Sequence, residues 1–340
     1  MLNVVEMIEK SIKFISLILI CSACSNSSFS QDSKGIGVIG FYNVENLFDT
    51  KDDPDIRDEE YLPGGKNQWD EERYQNKLTN ISKVINEMSG GPDILGLSEI
   101  ENRKVIEDLV ATPLLKNKRY GIVHFNSPDR RGIDVALIYR SSRFTPFEVN
   151  RIPLIDESEP NFKTRDMLWV KGLYLGDTLH VCVVHWPSRR GGKQEKRILA
   201  GQVLKSRVDS VKAINPNSKI ILMGDFNDDP PNKSMKKMLG ANQSREKESL
   251  FNTSTATFKK GYGTLSYRGA WNLFDQIIVS PSLLKENSSQ YHYMDNSFSI
   301  VGPEWMQDRE NGGAPYRNFS YGAYQNGYSD HFPVYIIIAK

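Results

Sequence analysis

The residues of this chain that could do chemistry lie where apolar runs end. Ile220-Ile221-Leu222-Met223 leads into Gly224-Asp225-Phe226-Asn227-Asp228, and the two-residue spacing of Asp225 and Asn227 points both side chains to one side of an extended chain. Gly40-Phe41-Tyr42 leads in the same way into Asn43 and Glu45, an amide and a carboxylate that together suit a hard cation. Ile94 to Ser98 ends in Glu99, an acid on a strand that would be buried on both faces, where it needs a metal or arginine partner unless it reaches solvent. Val181 to Val184 ends in His185, and Ser188-Arg189-Arg190-Gly191-Gly192-Lys193 follows as a basic loop that could meet an anion. Asp275 opens the run Asp275 to Val279, and Asp330-His331 precedes Pro333 to Ile338; two acids and a histidine can form an acid-oriented imidazole. Each place also has a plain structural reading as an Asx turn, a solvated acid or a hydrogen-bonded histidine. Taken singly, only the string from Gly224 to Asn227 favours chemistry.

The elements that must position these groups interleave. Strand-like runs cover 37–42, 94–98, 135–139, 167–173, 179–185, 219–223, 275–279 and 333–338, and they are rich in Ile, Val and Leu. Trp271 to Ser280 fits strand and helix equally well. Tyr74, Leu78, Ile81, Ile85 and Met88 recur at helical spacing over Glu71 to Met88, behind Asp70 and ahead of Gly90-Gly91-Pro92. A second helix is expected over Gln194 to Ile214. With no repeat, low-complexity linker or Gly-rich phosphate loop after Gly37, a single layered domain of mixed α and β structure is expected over residues 35–340. The acidic stretch Thr50 to Gly65 has the composition of a solvated loop; it lacks the regular ligand spacing of an EF-hand.

Composition sets limits. The chain has 340 residues, 39% hydrophobic and 25% charged, with 43 basic against 42 acidic side chains. A formal net charge of +1 excludes a binder whose affinity comes from bulk attraction to phosphate. In residues 1–30, Lys10 and Lys13 precede the apolar run Phe14 to Ile20, which is too short to span a bilayer and has the form of an export signal. Two processing outcomes are open: a lipoprotein-type end at Ser22-Ala23-Cys24, or ordinary cleavage after Ser28-Phe29-Ser30. An exported protein is therefore expected, periplasmic, lipid-anchored to a bacterial envelope or secreted. Beyond a lipidated Cys24, only Cys182 would remain, inside an apolar run, so neither a disulfide framework nor a thiolate metal site can be built.

In this order the motifs resemble those of the endonuclease/exonuclease/phosphatase superfamily, metal-dependent phosphodiesterases that include abasic-site endonucleases, pancreatic-type deoxyribonucleases, sphingomyelinases and inositol polyphosphate phosphatases. The likeness runs from about Gly37 to the C-terminus. Its most specific pair is Gly224-Asp225-Phe226-Asn227 with Ser329-Asp330-His331, and the opening string Phe41 to Asp49 looks most like an exported bacterial branch of nucleases.

The resemblance implies an α+β fold, a four-layer α/β/β/α sandwich of two packed mixed sheets flanked by helices, with the motifs converging at one end. It implies Mg²⁺ or Mn²⁺ as cofactor, with Glu99 as principal ligand, Asn43 helping to hold the cation or a phosphate oxygen, and Asp330 as a further ligand. Asp225 would orient or deprotonate the attacking water with Asn227 beside it. His185 would hydrogen-bond the phosphoryl oxygens, and His331, fixed by Asp275, would bind and protonate charge at the phosphate. Glu45 stands where abasic-site endonucleases carry Asp, and Gln276 where many members carry Tyr. Glu45, Arg131, Arg165, Arg189 and Arg190 are expected on the substrate, the arginines holding flanking phosphates.

The chemistry is consistent by itself: phosphodiester cleavage develops charge on oxygen and needs an aligned water, which a divalent cation, imidazole donors and a strand-end carboxylate supply without a covalent intermediate. The expected substrate is DNA or RNA. The alternative is a phospholipid or inositol phosphate head group, and a silent binding module on the same scaffold is disfavoured by the full acid and histidine set. No obligate protein partner is implied.

Overall fold

The computed structural model describes residues 35–190, 193–286 and 289–340. The export signal expected over residues 1–30 lies outside the described residues.

Two seven-stranded sheets form the centre of the molecule. In the first, β1 (Ile36–Leu47) pairs in parallel with β2 (Ile94–Ile100), β3 (Tyr120–His124) and β4 (Asp134–Arg140) continue beyond β2, and the C-terminal strand runs antiparallel to β1 on the other side. In the second, β5 (Phe144–Ile152), β6 (Met167–Tyr174), β7 (Asp177–His185), β8 (Lys219–Asp225) and β9 (Asp275–Val279) lie side by side, followed by two short strands. The C-terminal strand of the first sheet is β10 (Val334–Ala339).

A parallel pair needs a crossover, and each sheet has one made by a helix. Helix α1 (Glu71–Glu87) connects β1 to β2, and α3 (Gln194–Ile214) connects the parallel pair β7 and β8. Helix α2 (Arg103–Ala111) packs beside α1, its N-cap Asn102 accepting from Val105 N. Asp70 caps α1 by accepting from Arg73 N. These connections put the carboxyl ends of β1, β2, β7 and β8 at one edge of the sandwich. β9 and β10 run the opposite way, so their amino ends arrive at that same edge.

Alternation along the strands decides the layers. Ile39 and Phe41 of β1, Leu137 of β4, Val181 and Val183 of β7, and Ile221 and Met223 of β8 fill the space between the sheets. Tyr42, Val44, Leu95 and Leu97 face the other way, onto Leu78, Ile81, Ile85 and Ile106 of α1 and α2. Trp169, Cys182, Val184 and Leu222 face Ala200, Leu204 and Val208 of α3. The result is the four-layer sandwich, and it explains why the central strands are apolar on both faces. Cys182 is a buried member of the outer layer.

The eight expected strands and both expected helices are present, with Trp271 to Ser280 yielding β9. Edge strands β3 and β5 and the nine-residue α2 were not expected. β5 contains Pro146 and exposed polar side chains, as a sheet edge tolerates.

Close approach at two glycines sets the packing near the edge where the strand ends meet. A Cβ on Gly96 would stand 2.8 Å from Met223 Sδ of the facing sheet, and one on Gly224 would stand 2.2 Å from the Val184 carbonyl oxygen. The second contact is with backbone and cannot be relieved by a rotamer change. Gly224→Ala is therefore expected to destabilise the fold by about 1–3 kcal/mol, as overpacking of a core does, read as a lowered midpoint in urea unfolding; an unchanged midpoint would contradict the packing.

Candidate active site

The edge where the strand ends meet is lined by the side chains singled out from the sequence. β1 and β2 pair regularly up to Asn43 opposite Ser98, and then resume at Leu47 opposite Ile100. Three residues of β1, Val44 to Asn46, thus face the single Glu99, which is itself the bulged residue against β4, where Ser98 pairs with Val135 and Ile100 with Asp134; Glu99 has φ +63°, and Glu45 and Asn46 have φ +52° and +53°. A bulge re-aims a side chain out of the pleat; here it turns Glu99 to the opening, where its carboxylate keeps 15% of its surface exposed. The backbone N–H of Asn46 donates to Glu99 Oε2 at 3.0 Å. Asn227 also has φ +51°, and its N–H donates to Asp225 Oδ1 at 2.9 Å.

Asn43 joins the two sheets. Fully buried, it donates from Nδ2 to Asp225 Oδ2 at 3.1 Å and to Glu99 Oε1 at 3.4 Å, and its own Oδ1 accepts from Glu45 N at 3.0 Å. One lone pair of its amide oxygen is thus used by Glu45 N, and both bonds from its Nδ2 go to carboxylates and not to an open face. Asn43 is a donor between two acids. His185, opposite Asp225 in the β7–β8 ladder, brings Nε2 to 3.5 Å from Asp225 Oδ2 and 3.9 Å from Glu99 Oε1.

The third side is built by β9 and the segment before β10. Asp275 faces Asp225 across the antiparallel ladder, and its Oδ2 lies 2.7 Å from His331 Nδ1 and accepts from Thr264 Oγ1. His331 Nε2 then stands 3.9 Å from both Asp225 Oδ2 and Asp330 Oδ1. Ser329 fastens this segment to β1 by donating to the Asn43 carbonyl at 2.7 Å and accepting from His331 N at 3.1 Å.

Burial and charge give these groups different protonation tendencies. Burial pushes the Asp225 carboxyl up, and Asp275 and Glu99 add to the shift, against the pull of His331 and the Asn227 N–H. Burial disfavours a charged His331, but Asp275 outweighs it and holds the imidazolium well above the ordinary range. His185, buried and facing Arg165, Arg131 and His331, is held well below that range and is neutral. Its Nδ1 is buried with no hydrogen-bond partner.

The other expected substrate residues are arranged differently. Glu45 is buried and fully engaged: Oε1 accepts from Arg317 Nε at 3.0 Å and Nη2 at 2.7 Å, and Oε2 from Asn318 N at 2.9 Å. Arg165 is buried against Asp129 Oδ2 at 3.0 Å and the Trp186 carbonyl at 2.7 Å, a bracing role and not a free phosphate contact. Arg189 is spent on Asp228, Asp229 and the Asn227 carbonyl while lying over the Phe274 ring at 4.4 Å. Arg131 is half exposed beside Asp129, and Arg190 is exposed. The amide of Asn227 donates to the Trp186 carbonyl at 2.9 Å. Gln276 donates to the carbonyls of Asp228 and Leu273, so it supports the turn after β8.

Arg317, Thr264, Ser329 and Lys77 had no role assigned from the sequence. Lys77 lies fully buried on the apolar side of α1, donating to the Tyr328 carbonyl at 2.8 Å. A lysine among the apolar residues of an amphipathic helix was the only available signal.

The site residues fit a divalent cation. The carboxylates of Glu45, Glu99, Asp225, Asp275 and Asp330 outnumber the cationic His331, Arg317 and Lys77, and burial with neighbouring Asp330 raises the Glu45 pKa to about 7. Asp225, Asp275 and His331 have ligand atoms all within 4.8 Å of one another. Asp275 Oδ2 is held by His331 while its Oδ1 is buried without a partner; Glu99 and Asp330 are hard oxygen donors with 15% and 34% exposure, one oxygen of Asp330 lying on Arg317.

A sequence profile of the Endonuclease/Exonuclease/phosphatase family matches residues 38–340. The chain belongs to this family. It is thereby a phosphoesterase of the superfamily, whose enzymes are typically divalent-metal dependent. No curated protein matches it. Among solved structures it is similar to a humanised D. rerio TDP2, at 14% identity and TM-score 0.56 over 90% of this chain and 99% of that one. A mannosyl-6-phosphatase from Bacteroides thetaiotaomicron gives 17% and 0.56 over 89% and 99%. These likenesses show the fold.

Two outcomes follow from the geometry. Asn43→Ala leaves two carboxylates unseparated and should lower both kcat/KM, by about 10²-fold, and stability, by about 1–3 kcal/mol; a variant with wild-type activity would remove Asn43 from the site. Asp275→Asn withdraws the charge that raises the His331 pKa. The imidazolium then deprotonates at lower pH, so the alkaline limb of the pH–rate profile should move to lower pH, and an unmoved limb would show that His331 does not act as a cation.

Proposed function

We propose that the protein is an exported, Mg²⁺- or Mn²⁺-dependent nuclease that hydrolyses phosphodiester bonds of DNA or RNA by direct attack of water. The observation that carries this reading is the convergence of Glu99, Asp225, His185 and the His331–Asp275 pair around one opening. When bound at Glu99, a divalent ion would draw charge from a phosphoryl oxygen. Asp225, with its pKa raised by burial, accepts a proton from the attacking water. His331, kept cationic by Asp275, donates to the oxygen on which charge develops. Neutral His185 supplies a hydrogen bond from the second sheet without adding charge. Export is supported by the basic residues and apolar run at the start of the sequence.

Nucleic acid is favoured by the rim. The hairpin formed by Leu265–Tyr267 and Ala270–Asn272 begins next to Thr264, which binds Asp275, and it carries Trp271, 37% exposed, and Tyr267, 63% exposed. Trp271 stacks on Phe332, the neighbour of His331, with ring centroids 6.2 Å apart. Exposed ring faces next to a phosphoryl site suit base stacking, which contributes about 1–3 kcal/mol per base. The D. rerio TDP2 fold has been solved with a single-strand DNA product, at 14% identity to this chain.

Purified protein should cleave plasmid DNA or RNA with Mg²⁺ or Mn²⁺ and lose this activity in EDTA, and Glu99→Gln should abolish it. Hydrolysis of a simple aryl phosphomonoester, or release of phosphate from defined lipids, without polynucleotide cleavage would replace the nuclease reading by the phosphatase or phospholipase one.

A further inference from the structure

Arg317 comes from an irregular segment outside every motif, yet it is built firmly into the site. Tyr316 N donates to the Met306 carbonyl, and Tyr328 N donates to the Tyr316 carbonyl, both at 2.7 Å. A Cβ on Gly327 would stand 2.1 Å from the Arg317 carbonyl oxygen, so only glycine lets this segment lie against the one that leads into Asp330 and His331. Arg317 therefore reaches the opening from a fixed backbone.

Its guanidinium links two acids. Nε and Nη2 hold Glu45 Oε1, and Nη2 holds Asp330 Oδ2 at 3.1 Å. With Asn318 N on Glu45 Oε2, both oxygens of Glu45 and one of Asp330 are satisfied. Two carboxylates sharing one partner would otherwise suit a second divalent ion. Nη1 makes no hydrogen bond among the described residues, and the side chain is 47% exposed. At Glu99 the position is different: its hydrogen bonds are one from a backbone N–H and one from an amide, and among the described residues no Lys or Arg lies within ion-pair distance, His185 Nε2 standing 3.9 Å away.

We propose that Arg317 is a built-in cation of this active site, which neutralises the Glu45–Asp330 pair and confines divalent-ion binding to a single ion at Glu99. It is a positioning residue: it fixes Asp330 with its free oxygen toward His331, doing for the pair what a second metal ion would do. The inference rests on the metal-dependent reading above.

Mn²⁺ titration of the full chain, by calorimetry with free Mn²⁺ counted by electron paramagnetic resonance, tests it. One bound ion is expected, lost in Glu99→Gln and retained in Glu45→Gln. Arg317→Met should bind a second ion and lose about 10²-fold in kcat/KM, while Arg317→Lys, which keeps the charge, should stay at one. Two ions bound to the unaltered protein overturn the inference and leave the metal-dependent reading standing. So does an Arg317→Met variant that binds one ion at an unchanged rate. No bound Mn²⁺ overturns both.

Discussion

The buried amide of Asn43 is the contact on which the site depends. Its Nδ2 reaches Asp225 on one sheet and Glu99 on its own, residues that stand 182 and 56 positions away in the chain. In a desolvated setting two facing carboxylates repel strongly, and one of them would take up a proton. Asn43 places a neutral donor between them and adds no charge that would compete with a bound cation, while burial still pushes the Asp225 carboxyl up. The sheet packing sets how far the amide must reach: Gly96 of the first sheet lies against Met223 of the second, close enough for a short side chain to join the two strand ends.

Local conformational cost accompanies this arrangement. Glu45, Asn46, Glu99 and Asn227 all adopt left-handed backbone conformations, each costing about 1–3 kcal/mol where the residue is not glycine. Their neighbours compensate with directed bonds: Asn46 N–H to Glu99, Glu45 N–H to Asn43, Asn227 N–H to Asp225. The strained peptide units thus supply the donors that orient the carboxylates. Rigid, fully apolar strands behind them absorb the cost, which explains why the reactive groups follow the most hydrophobic runs in the sequence.

That coupling also explains what could be read without coordinates. The central strands and α1 carry strong apolar periodicity, and the acids and histidines at their ends stand out because few structural needs call for them there. Pairing was not legible: no pattern in β2 signals the bulge at Glu99, and the Asn43 amide can be assigned as cation ligand or carboxylate donor until its neighbours are known. Arg165 and Arg189 were expected on substrate because they neighbour motif residues in sequence, yet buried Asp129, Asp228 and Asp229 claim them. Arg317 was invisible for the opposite reason. It lies in a segment without periodicity, and its partner Glu45 is 272 residues away.

The placement of positive charge ties fold to reactivity. Arginines that could have made a basic track are used to brace the turns after β7 and β8, so those turns are stiff and their acids neutralised. At the opening stand an imidazolium oriented by Asp275 and a guanidinium shared by Glu45 and Asp330, with Arg131 half exposed beside Asp129. A chain whose basic and acidic side chains nearly balance can act on a phosphoester on these terms, because preorganised charge acts on the transition state more than on the encounter.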